Sequence, residues 1–254
     1  MKKELLKSIV DYTAGKAIIQ EHEFRQFLSK ISCGNDNYYF QLMELYKQNI
    51  LYKYNTGILK PCNGRTKYEF FHVFEEDIRN KIAAVDPPII VSCWSINEVN
   101  KYMSLQLFAN FCFVETYSYA REVVLNVLLE NGYTAVYEED YLLGSKYFKS
   151  DSIYILRTIN EDSPIVRPDK KTTSVACTFV TVPKIEKVIV DMIINPFFDT
   201  IIGDEIINIL KALLNKYQVN MATISRYAKK RYRYDKVMAC IEATGFNIEK
   251  GEFE

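Results

Sequence analysis

The stretch from Leu42 to Pro61 constrains this chain more than any other. Leu42 and Leu45 repeat at helical spacing, and Asn49 follows as a residue that tolerates a left-handed helix end. Two short β-like runs come next, Leu51 to Tyr54 and Ile58 to Lys60, joined by Asn55-Thr56-Gly57. Pro61 then stops the pairing, because it has no amide hydrogen to donate. An apolar helix that runs straight into a glycine-tipped hairpin needs a small core behind it.

The preceding residues supply that core. Leu5, Leu6, Ile9 and Val10 fall on one helical face, broken at Gly15, and Ala17 to Ile19 is long enough for one short strand. A second helix, starting near Glu23, carries Phe24, Phe27, Leu28 and Ile31 on one side. Ser32 to Asn35 reads as a turn, and Asn35 or Asp36 as the cap of a third helix reaching Gln48. Helix, helix, turn, helix, hairpin is the order of a winged helix–turn–helix, expected over residues 1–80. A further β-like run, Tyr68 to Phe74, is expected to extend its sheet.

Such a module reads DNA with polar side chains on the third helix and holds the backbone with cations on the wing. Asn37, Tyr38 and Gln41 are placed by spacing opposite Leu42 and Leu45, where amides can pair with adenine edges. Lys47, Lys53, Asn55, Lys60, Arg65 and Lys67 cluster around the hairpin as phosphate contacts. The competing reading makes each lysine an ordinary solvated charge.

Asp86-Pro87-Pro88 marks a boundary, with residues 81–86 as the linker and 87–254 as a second domain. Strands are expected at Ile89–Cys93, Leu107–Glu115, Tyr133–Tyr137, Ile153–Thr158 and, more weakly, Val175–Val182. Helices alternate with them, one capped by Ser95 and one at Tyr119–Glu130. From Lys184 onward the apolar spacing is helical throughout, with helices near Ile206–Leu214, Met221–Arg231 and Lys236–Thr244. The expected class is α/β (α+β): a winged helix, then a mixed sheet with a terminal helical subdomain.

Composition excludes several kinds of protein. The chain has 48% hydrophobic and 25% charged residues, ordinary for a globular protein. Lys+Arg 32 balance Asp+Glu 32, so a nucleic-acid surface has to be local. Cysteines 33, 62, 93, 112, 177 and 240 form no C-x-x-C pair. Neither a leader nor a membrane span is expected from the apolar runs, and a cytoplasmic protein is. His22 and His72 both lie in the first half, which excludes a histidine-dependent triad in the second.

No dinucleotide, Walker or nucleophile-elbow motif is present, and no cofactor or metal is expected. Gly144-Ser145 lacks the acidic pair of a nucleotidyltransferase signature. Glu138, Glu139 and Asp140, near Lys146 and Lys149, are read as a solvated acidic turn rather than a nuclease core. Glu186-Lys187 and Asp191 suit charge pairing on an exposed helix face. Arg226, Lys229, Lys230, Arg231, Arg233 and Lys236, interleaved with Tyr227, Tyr232 and Tyr234, form a second basic surface suited to nucleic acid or another acidic partner.

Several segments of the second half are familiar together. Pro183 to Asp191, Asp204-Glu205, Ser225 to Arg231, Cys93 to Met103 and Phe113-Val114-Glu115 resemble the AbiEi-type antitoxins of bacterial type IV toxin–antitoxin systems. With the winged helix, the resemblance covers nearly the whole chain through short, degenerate motifs. It implies a non-enzymatic regulator that binds operator DNA, represses its own transcription and opposes a nucleotidyltransferase toxin. It supplies no catalytic residues. The alternative is a nuclease or nucleotidyltransferase-like enzyme with a DNA-targeting module.

Overall fold

A computed structural model describes residues 3–31, 37–86, 89–107, 110–144, 151–160, 162–166 and 180–253. The first elements are α1 (Lys3–Thr13), β1 (Ile19–Gln20), α2 (Glu21–Ile31), α3 (Tyr38–Lys47), β2 (Leu51–Asn55) and β3 (Ile58–Pro61). The three strands form an antiparallel sheet ordered β1-β3-β2. Ile9, Phe24, Leu28, Leu42, Leu45, Leu51 and Leu59 close a small core between helices and sheet. This is the winged arrangement that the hairpin signal predicts. Asn49 takes the left-handed conformation, at φ 52°, that turns α3 into the wing.

The expected turn at 32–35, with Cys33, Asn35 and Asp36, lies outside the described residues. The cap of α3 is Asn37, whose side chain accepts from the Tyr39 amide at 3.0 Å. Tyr68 to Phe74 adds no strand among the described residues. Its backbone instead has no regular structure and bends at Val73-Phe74, while Phe70 enters one core and Phe74 another.

Next come α4 (Glu76–Ala83), β4 (Val91–Ser95), α5 (Asn97–Asn100), β5 (Asn110–Thr116), α6 (Arg121–Glu130), β6 (Ala135–Tyr137), α7 (Glu138–Gly144), β7 (Ser152–Thr158) and β8 (Val180–Thr181). The sheet is mixed and ordered β6-β7-β5-β4-β8, with only β4 and β5 antiparallel. The period of two sorts its side chains. Cys112, Val114, Tyr154 and Leu156 face α4 and α6, whose Ile78, Ile82, Val124 and Leu128 complete that core. Phe111, Phe113, Ile153 and Ile155 face the other way. The segment read as linker is thus partly α4, a helix of the α/β layer. Of the expected Val175–Val182 strand, residues 175–179 lie outside the described residues.

The opposite face is covered by the terminal helices α8 (Ile185–Ile194), α9 (Pro196–Ile201), α10 (Ile206–Lys216), α11 (Met221–Lys230) and α12 (Tyr234–Glu242). A last hairpin, β9 (Phe246–Asn247) and β10 (Glu252–Phe253), closes the described chain. Its runs are two residues long, too short for periodicity to reveal.

The winged helix does not hang on a tether. Tyr52, Tyr54 and Cys62 belong to the same buried cluster as Trp94, Val188 and Tyr227. The Tyr54 hydroxyl donates to the Ile248 carbonyl at 2.5 Å, and Thr66 and Gln218 exchange backbone contacts with each other's segments. Wing and terminal hairpin are one packed unit.

Candidate functional site

The third helix turns a different face outward than its spacing suggests. Gln41 is only 4% exposed, and its amide nitrogen and oxygen have no hydrogen-bond partner. It sits one helical turn from Leu45 and beside Leu42, so it shares their inward face. The exposed large apolar side chains are Tyr39, Phe40 and Met43. Asn37 is exposed but occupied as the cap, and the half-buried Tyr38 donates to Glu21 at 3.3 Å. Burial pushes the Tyr38 phenol well above its ordinary range, and Glu21 adds to this.

The wing cations divide. Lys53 and Lys67 are exposed, and Lys47 is exposed with Glu44 3.1 Å away. Asn55 holds the hairpin turn by accepting from the Thr56 amide at 2.8 Å. Lys60 is not a phosphate contact. It is buried, and its Nζ donates to the carbonyls of Lys250 at 3.0 Å and Gly251 at 2.6 Å. Desolvation, with Arg65 nearby, lowers its pKa to about 8. Arg65, only partly buried, is also tied to the second half, its Nε donating to the Asn215 carbonyl at 3.2 Å. Two of the six expected wing contacts are therefore staples between the winged helix and the rest.

The second basic segment also splits. Arg226, Lys229, Arg233 and Lys236 are exposed, and Lys229 lies 4.8 Å from the Tyr234 ring centre. Lys230 pairs with Asp162. Arg231 points into the protein, with Nη1 3.0 Å from the Tyr227 hydroxyl and 3.4 Å from Asp191. Tyr232 is 89% exposed in the left-handed region at φ 53°, a conformation costly for a ring-bearing residue. One inward cation and one buried tyrosine break the continuous surface expected from sequence.

Arg231 leads to a buried charge network. Glu115 and Arg157 are register partners at the carboxyl ends of β5 and β7, where the rows Phe111-Phe113 and Ile153-Ile155 end in charge. Lys187 on α8 reaches Glu115 at 2.6 Å and Asp191 at 2.5 Å. Tyr227 donates to Asp191 at 3.0 Å. Arg157 is held by Glu138 at 3.1 Å and lies 3.5 Å from Glu115, with its guanidinium 5.3 Å from the Phe198 ring centre.

The i,i+4 pairing of Lys187 with Asp191 is as the spacing predicts, but the face is not exposed. Both are about 2% exposed, and Glu186, accepting from the Asn220 amide at 2.9 Å, is buried too. Glu138 is likewise part of the interior network rather than a solvated turn. What the spacing lacks is any sign of the α11 and α12 helices that cover α8.

Electrostatics keeps the network charged. Burial opposes the Lys187 and Arg157 charges, but the surrounding carboxylates outweigh it and raise both pKa values. Burial also opposes the Asp191 charge, and Lys187, Arg157 and Arg231 together hold that carboxyl below its ordinary range. Among the described residues no group of three His, Cys, Asp or Glu side chains is arranged to hold a metal ion. No described helix is long and apolar enough to cross a membrane.

The network walls an inner cavity of about 180 Å³, reached by Arg121, Asn160, Ser163 and Asn195 as well. Ser163 and Tyr227 also wall a neighbouring groove of about 580 Å³, lined by Lys184, Arg226, Lys230 and the apolar Pro164, Ile165 and Val166.

These features define an α/β protein with a winged helix fused to its sheet layer and a charged cavity at the strand ends. A family of unknown function, DUF6577, matches residues 38–246, and the chain belongs to it. The match begins at α3 and takes in the wing together with the α/β layer, the parts that share one core. No curated protein matches the chain.

Proposed function

We propose that this chain is a DNA-binding regulator that engages duplex DNA through α3 and the β2–β3 wing. On the sequence resemblance, its biological role is that of an autorepressing antitoxin opposing a nucleotidyltransferase toxin. The observation that carries the DNA reading is the winged order with the wing tip and the outer face of α3 left uncovered. Residues 1–67 contain eleven Lys and Arg against six Asp and Glu, a local basic excess in a chain of zero net charge. Lys53 and Lys67 provide backbone neutralisation, and Asn37 and Tyr39 at the start of α3 stand where recognition helices meet bases. The pairing of Glu115, Glu138 and Asp191 with Lys187 and Arg157 supports a non-enzymatic reading, since each carboxylate is already neutralised.

The test is fluorescence anisotropy with the duplex upstream of the chain's own gene, across a salt series. Binding that weakens with salt, and more shallowly in a Lys53→Ala, Lys67→Ala variant, is expected. Absence of salt-dependent binding to that duplex or to random duplex refutes the DNA reading. Failure to restore growth when co-expressed with a neighbouring nucleotidyltransferase refutes the antitoxin role alone.

A further inference from the structure

Three residues that wall the inner cavity carry a buried polar atom without a hydrogen-bond partner: two guanidinium nitrogens, which can only donate, and the Ser163 hydroxyl, which can donate or accept. Among the buried polar atoms without a hydrogen-bond partner are Arg121 Nε and Arg157 Nη1, and both residues wall this cavity. They come from separate elements, the first residue of α6 and the end of β7. Arg157 is 94% buried by its 6% exposure, and its Nη1 lies 3.5 Å from Glu115 without forming a hydrogen bond. A buried guanidinium nitrogen left this way has lost its water without gaining a partner in exchange. Groups of this kind, in a cavity, ask for a ligand that accepts.

Charge selects the acceptor. The walls of the inner cavity set four cations, Arg121, Arg157, Lys187 and Arg231, against three carboxylates, Glu115, Glu138 and Glu139, and the adjoining groove adds Lys184, Arg226 and Lys230 against Asp162. The two cavities, which share Ser163 and Tyr227, therefore carry an excess of three positive charges, enough to neutralise a phosphate dianion. The inner volume, about 180 Å³, suits a phosphate group. The outer one, about 580 Å³, falls within the roughly 300–1,000 Å³ of small-molecule sites. The site also lies outside the carboxyl ends of β5 and β7, where open α/β sheets bind ligands.

We propose that the two cavities together bind a phosphomonoester of a small organic molecule. Its phosphate accepts from Arg157 and Arg121 in the inner cavity. Its organic group lies in the outer groove against Pro164, Ile165 and Val166, between Arg226 and Tyr227. The site is separate from α3 and the wing, so it stands or falls independently of DNA binding.

Calorimetric titration of the full chain with orthophosphate, AMP and adenosine tests this. Binding of orthophosphate, at least tenfold tighter binding of AMP, and none of adenosine are expected. Arg121→Gln, whose other partner Glu139 is on the surface, should weaken both phosphate ligands at least fivefold. Arg226→Gln, at an exposed position, should weaken AMP and leave orthophosphate unchanged. Arg157→Lys keeps the charge and removes the fork, and should lose most of the phosphate affinity while circular dichroism reports an intact fold. No heat with orthophosphate or AMP overturns the site. Equal affinity for AMP and orthophosphate overturns the role of the outer groove. Affinities untouched by Arg121→Gln and Arg157→Lys place any phosphate elsewhere and overturn the assignment.

Discussion

Lys60 Nζ lies 2.6 Å from the carbonyl oxygen of Gly251, so the second wing strand is anchored by backbone atoms 191 residues further along the chain. Tyr54, from the first wing strand, bonds the same hairpin. A larger residue at the anchor would force its neighbours to shift. A Cβ on Gly251 would come 2.7 Å from Lys60 Nζ and 2.8 Å from the Tyr54 ring, at a φ of +66°.

Gly251→Ala should therefore destabilise the whole chain by about 1–3 kcal/mol, through overpacking and a left-handed alanine. Chemical denaturation followed by tyrosine fluorescence measures it. An alanine at Gly57 shares the positive φ but meets nothing within 4 Å, so its smaller cost separates the clash from the backbone strain.

Lys60 makes this anchor sensitive to alkali. Its folded pKa, about 8, lies below the ordinary 10.5, so between those values the unfolded chain holds a proton that the folded chain has released. Stability contributed by this group thus rises as pH increases from about 8 to 10.5, and its burial penalty is in full force below 8. Melting temperatures of wild type and Lys60→Met across pH 7–10.5 check this. The wild-type curve should gain relative to the variant over that window.

Gln41 offers the opposite kind of test. Its buried amide has no partner, so Gln41→Met should stabilise by about 1–2 kcal/mol by removing an unsatisfied polar group. The same variant should leave DNA affinity unchanged, because the side chain faces the core. A loss of sequence preference would show that α3 rotates on binding.

The Lys187 network should be costly to break. Lys187→Met leaves Glu115 and Asp191 buried without their shared cation, and about 3–5 kcal/mol of destabilisation is expected. Because Asp191 is held below its ordinary 3.8, its stabilisation is complete above that value and disappears as pH falls through the lower folded value. Acid unfolding of Asp191→Asn should lose that component of the transition.

Legibility followed locality. The wing was readable from Asn55-Thr56-Gly57 and Pro61, and the strands at 110–116 and 152–158 from apolar runs of strand length. Both depend on neighbours in sequence. What the sequence does not show is which polar residue another element covers. Lys60 and Arg65 look like wing cations until residues 215 and 250–251 arrive against them. Lys187 and Asp191 look like a solvated pair until α11 and α12 close over α8. Gln41 is the exception, since its spacing to Leu45 was local evidence for an inward face.

The anchor also orders events during synthesis. At about 5–20 residues per second, the wing leaves the ribosome some 10–40 s before residues 250–251 that complete it. Through that interval Lys60 and the Tyr54 ring have no lid, and the hairpin exposes surface that the finished protein buries. A ribosome stalled before the last hairpin would display α1 to α3 with an unfinished wing. On this geometry the wing is complete only once the chain has been translated through Gly251, and until then its two strands lack the contacts that fix them.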